Sequence, residues 1–222
     1  MVYLLILISE LILLYFLSRE FTKLVYKFFL KVTKSRNLSL YLFAVLFVPG
    51  TFIHEMAHSL FALVLLVPVG QMNLIPKISD KGVRLGTVPI AKTDPIRRTI
   101  IGFAPFLMGI TIMCLSVFLV FEFELLNNWW IVIGMSYLNF QIGNTMFMSR
   151  KDLEGAWGLL VSVLVLYITL YLFGFRVIAD PNVIFSSSVN AVLVGASLYL
   201  IIPILIDMFG IIILEIFRRF TN

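Results

Sequence analysis

Thr51-Phe52-Ile53-His54-Glu55-Met56-Ala57-His58-Ser59-Leu60-Phe61-Ala62-Leu63-Val64-Leu65-Leu66 is apolar almost throughout, yet it holds both histidines of the chain with a glutamate beside the first. The stretch predicts one helix. Positions i and i+4 lie one above the other on a helix face, so His54 and His58 can turn both imidazoles toward a single metal ion. Zinc suits two nitrogen ligands at this spacing, and Glu55, one residue from His54, flanks the metal without ligating it and can take a proton from a water. Three polar side chains on an apolar helix are costly in lipid, and a metal with its water supplies the partner they need.

The surroundings make lipid the solvent. Of 222 residues, 61% are hydrophobic and 13% charged, which predicts an integral membrane protein. Segments near the length of about 20 residues that a bilayer requires occur at 2 to 17, 38 to 69, 99 to 121, 129 to 148, 153 to 173 and 189 to 217. The expectation is an all-α single domain over 1–222 with about six transmembrane helices, lying in the cell membrane as a multi-pass protein. Pro49 and Gly50 interrupt the second span. The first span begins without a basic leader and is followed by no small-residue cleavage site, so it is expected to be retained.

Two connections stand out. Residues 18–37 carry six basic residues interleaved with Phe21, Leu24, Val25, Phe28, Phe29 and Val32, the pattern of an interfacial amphipathic segment. Residues 70–98 form the one sizeable polar loop, and its β-branched residues, glycines and proline around Gly82 to Ile90 predict a short membrane-associated β-hairpin turning at Asp80-Lys81-Gly82.

The net charge of +5 comes from basic residues in loops, where anionic headgroups account for them, so the partner is the lipid bilayer and no nucleic acid is expected. With six spans, the N-terminus, the loops at 70–98 and 149–152 and the C-terminal Arg218-Arg219 share one face. Its slight excess of Lys and Arg assigns both termini to the cytoplasm. Cys114 is the sole cysteine and makes no internal disulfide.

A catalytic zinc needs a third protein ligand and an open position. With both histidines spent, the third is expected to be a carboxylate, and Glu10, Glu122, Glu124, Asp152, Glu154, Asp207 and Glu215 are the choices near a membrane boundary. Composition does not select among them.

Three stretches resemble the site-2 protease family of intramembrane zinc metalloproteases. Phe52 to Ser59 is similar to that family's HExxH helix. Ile101-Gly102-Phe103-Ala104-Pro105-Phe106 opens its span as the family's Gly-x-x-Gly-Pro does, with Ala104 in place of the second glycine. The run from Asn139 to Asp152 is similar to the stretch between the family's asparagine and its ligand aspartate, which Asn144 and Asp152 match in separation. The prolines usual between them are missing, and the family's Leu-Asp-Gly is matched in its flanks by Leu153-Glu154-Gly155.

The resemblance implies Asp152 as third ligand, with Glu154 as alternate, one zinc ion per chain, and peptide hydrolysis with Glu55 as base. It further implies a substrate that is itself a transmembrane protein segment, unwound before cleavage, with Asn144 contacting it. Asn144 can equally hydrogen-bond across a helix pair. Other classes share the motif: a zinc-binding scaffold without turnover, or an HExxH membrane metalloprotease of a different type.

Overall fold

The computed structural model describes residues 2–79, 82–147, 152, 156–173 and 186–220. These are helical apart from one loop region. In chain order they form α1 (Val2–Thr33), α2 (Arg36–Val64), short strands β1 (Lys77–Ser79) and β2 (Gly82–Arg84), α3 (Pro95–Glu122), a single 3₁₀ turn (Leu125–Asn127), α4 (Trp129–Thr145), α5 (Ala156–Leu172) and α6 (Ser187–Phe220). Four helices are long and apolar enough to cross a membrane: α1, α2, α3 over Pro95–Val120, and α6 over Val192–Phe220. Helices α4 and α5 have 17 residues each, short of the roughly 20 that an untilted crossing needs.

The division expected after residue 17 is not a break in the backbone. Helix α1 runs on through the basic stretch, and Phe21, Leu24 and Val25 are buried in the bundle. With 32 residues it is about 48 Å long, well beyond a hydrocarbon core of about 30 Å. The chain turns only at Lys34, which takes a left-handed φ of 53°, and Ser35, whose hydroxyl caps α2 by accepting from the Leu38 N–H. A hydroxyl pair, Thr33 and Ser39 at 2.8 Å, closes this tight helix hairpin.

Helix α2 stops at Val64, five residues before the predicted end. Leu66 adopts φ 58°, and the Val67 N–H bonds the Ala62 carbonyl at 2.8 Å, closing the helix as a glycine usually would. The chain then forms an antiparallel ribbon. Val69 bridges Ile90, Asn73 bridges Thr87, and β1 pairs β2 from Lys77↔Arg84 to Ser79↔Gly82. The turn expected at Asp80-Lys81-Gly82 involves two residues, 80 and 81, outside the described ones. Asp94 starts α3 by accepting from the Ile96 and Arg97 N–H groups, and the Arg97 bond holds its carboxyl below the ordinary value.

The helix directions correct the six-span expectation. Glu10 bonds Ser197, Phe21 packs on Gly210, and the Phe28 and Phe217 rings lie 5.0 Å apart, so α6 runs parallel to α1. Helix α2 runs against α1, with Thr33 beside Ser39 and Tyr26 against Phe43. Helix α4 also opposes α1, pairing Tyr15 with Phe147 and Phe21 with Phe140. Six alternating crossings would make the first and last helices antiparallel.

Instead, the chain leaves α4 and returns to α6 at the same end of the bundle, where α1 begins and α2 finishes. The Val2 end of α1 and the Phe220 end of α6 therefore lie at opposite ends, not on one shared face. Arg218 and Arg219 join Arg19 to Arg36, which removes the charge excess that assigned both termini to the cytoplasm.

This arrangement is testable with an impermeant thiol reagent on sealed vesicles. In a Cys114→Ala background, single cysteines at Ser35 and Phe220 should label from one side of the membrane and one at Gln71 from the other. Phe220 labelling together with Gln71 would contradict the parallel packing.

Candidate metal centre

Close helix approach builds the site. Gly50 lies where a side chain would meet the Gln141 carbonyl and the Thr145 hydroxyl, both at 2.6 Å from a Cβ placed there, so α2 and α4 cross almost backbone to backbone. That crossing brings the end of α4 beside the histidine face of α2.

The two imidazole rings meet edge to face along α2 with centroids 4.9 Å apart. His54 Nδ1 lies 2.6 Å from the Thr145 carbonyl, and His58 Nδ1 lies 2.8 Å from the Ile101 carbonyl. A carbonyl can only accept, so each Nδ1 carries the hydrogen, and in the neutral ring this leaves the lone pair on Nε2. Both carbonyls have a reason to be available. Thr145 is the last residue of α4, where carbonyls lack helical donors. Ile101 stands four residues before Pro105, which has no N–H to return to it.

Asp152 faces the two Nε2 atoms, its Oδ2 at 3.8 Å from His54 and its Oδ1 at 3.4 Å from His58. His54, His58 and Asp152 offer one ligand atom each within 4.8 Å of one another, a group that could hold a metal ion. The group suits a cation between its ligand atoms, and bonding the far ring nitrogen to a carbonyl is how ligating histidines are ordinarily oriented. Gly102 keeps Asp152 in position, because a Cβ there would collide with the aspartate's own carbonyl oxygen.

Glu55 is half-buried beside this group and outside the ligand set. The Val88 backbone N–H bonds its carboxylate, and Gly86 lies so close that a Cβ would come within 3.0 Å of the Glu55 Cγ and 2.9 Å of Thr51. The loop ribbon thus covers the glutamate. Between ribbon and helices is a cavity of about 350 Å³, lined by His54, Glu55, His58 and Asp152 together with Val88 and Arg98.

His54, Glu55, His58 and Asp152, expected as one site, are brought together. Asn144 also lines the cavity, but its amide hydrogens go to the Phe140 carbonyl at 3.1 Å and to Asp207 Oδ1 on α6 at 2.8 Å. Glu154, the alternate ligand, lies outside the described residues. Sequence reasoning assigned no role to the Thr145 and Ile101 carbonyls, Gly86 or the Val88 N–H. Pro105 was the one available signal, since a proline four residues on always frees a carbonyl. No family model, curated protein or solved structure matches this chain.

Two substitutions probe the support of the rings. Pro105→Ala gives the Ile101 carbonyl a competing helical donor, and Gly102→Val displaces Asp152. Each should weaken zinc binding by about tenfold or more in competition with a chelating dye while the protein remains helical. Unchanged affinity in both would show that these contacts do not orient the ligands.

Proposed function

We propose that this protein is an intramembrane zinc metalloendopeptidase of the site-2 protease kind, cleaving peptide bonds in or near transmembrane segments of membrane proteins. The observation that carries the reading is the convergence of the His54 and His58 Nε2 atoms on Asp152, with Glu55 on the same cavity wall, inside a bundle of apolar helices. Two nitrogens and one carboxylate form the ligand set of a catalytic zinc with an open position. In this reading α4 also crosses the membrane, and the loop ribbon is a membrane-associated hairpin over the cavity.

His54, His58 and Asp152 would hold a zinc ion, which would supply Lewis acidity toward a water and a peptide carbonyl. Glu55 takes the proton from the attacking water. As the carbon–nitrogen bond breaks, it returns that proton to the leaving amine, so base and acid are one carboxyl group. The Val88 N–H keeps the Glu55 carboxylate aimed into the cavity, and the Thr145 and Ile101 carbonyls hold the imidazoles in the tautomer that presents Nε2. The ribbon and the half-buried setting restrict bulk water at the reacting groups. A substrate helix must unwind to expose a peptide bond there, and its strand-like backbone could then lie along the cavity.

The test uses the purified full chain in detergent, with zinc content and cleavage of a labelled synthetic transmembrane peptide as readouts. Wild type should hold about one zinc per chain and cleave. Glu55→Gln should hold zinc equally and cleave at least about a hundredfold more slowly. A wild type without metal, or a Glu55→Gln variant as active as wild type, would refute the proposal.

A further inference from the structure

Asp207 is the one carboxylate among the described residues that is completely buried, at 0% exposure in the middle of α6. An acidic group in such a place is expensive and marks function unless its bonding is purely local. Its Oδ1 reaches across to α4 and accepts from Asn144 Nδ2 at 2.8 Å, while Oδ2 has no hydrogen-bond partner. From the other side, the α1 hydroxyl of Ser18 donates to the Asn144 backbone carbonyl at 3.3 Å. Asn144 is thus clamped between α1 and α6.

The next residue is Thr145, whose carbonyl receives His54 Nδ1 at 2.6 Å. A continuous path runs from the Asp207 carboxylate through the Asn144 amide and the following peptide unit to the imidazole of His54. The path has a preferred sense. With one amide hydrogen on Asp207 and the other on Phe140, a flipped Asn144 amide would set its oxygen against two acceptors.

We propose that Asp207 is a positioning residue for the metal centre: by anchoring Asn144 it fixes the last turn of α4, and so the carbonyl that orients His54. This rests on the reading of His54, His58 and Asp152 as metal ligands, but not on peptide cleavage. It accounts for a carboxylate in the lipid-embedded core of a helix that supplies no ligand itself. A leucine there would remove the hydrogen bond from α6 and leave Asn144 bonded to another helix only through Ser18 of α1.

The experiment titrates cobalt(II) chloride into chelator-treated full-length protein and follows both affinity and the visible absorption of the bound ion. Asp207→Leu should bind cobalt about tenfold more weakly and with an altered spectrum. Asp207→Asn, whose carboxamide oxygen can accept the same hydrogen bond, should restore both to near wild type. Glu10→Leu breaks the Glu10–Ser197 bond, which joins α6 to α1, and should leave both readouts unchanged.

Equal binding by wild type and Asp207→Leu would overturn the inference. So would a loss in Glu10→Leu as large as that in Asp207→Leu, since the effect would then be general packing. A wild type that binds no cobalt overturns the metal reading and this inference together, whereas cobalt binding without cleavage by the zinc form refutes only the protease.

Discussion

Two hydrogen bonds, from His54 to the Thr145 carbonyl and from His58 to the Ile101 carbonyl, tie the motif helix to its two neighbours. A backbone carbonyl inside lipid is normally spent on its own helix, so an acceptor for a side chain has to be created. Here one is created by ending a helix and the other by placing a proline four residues downstream. The rings are therefore oriented by the secondary structure of α3 and α4, and distorting either helix would reach the imidazoles directly. Because both bonds use Nδ1, both Nε2 atoms are turned toward Asp152.

The same shortage of polar partners shapes the rest of the bundle. Lipid provides no hydrophobic gain when helices associate, so close approach and buried hydrogen bonds must hold them together. Asn139 donates to Ser116 between α4 and α3, Gln141 to the Leu46 carbonyl between α4 and α2, and Ser197 to Glu10 between α6 and α1. Tyr137 donates to the same Leu46 carbonyl, so one acceptor on α2 serves two side chains of α4.

The part of this organisation legible in the sequence is the part carried by local pattern. The histidine spacing on an apolar helix picked out two of the three side chains that could hold a metal ion and the glutamate beside them, and hydrophobic runs located the helices to within a few residues at most ends. Asp152 was reachable only through resemblance, because seven carboxylates satisfied the chemistry equally well. Helix direction was illegible: apolar length says that a segment can cross, not which neighbour it lies against, and so the parallel packing of α1 and α6 contradicted a simple count. The end of α2 was misread for a local reason. Leu66 occupies a left-handed position where glycine or asparagine would have signalled the stop.

The convergence of ligands from distant parts of the chain also orders its assembly in time. Both histidines belong to the second helix to be synthesised, whereas the carbonyl that turns His54 and the carboxylate that faces it come only with the close of α4 and the residue at 152. Until that later stretch emerges, α2 carries the two histidines without the carboxylate that completes the group. Capture of a metal by this group would therefore be a late event in biogenesis, and a chain stalled before Asp152 would carry only two of the three side chains that could hold it.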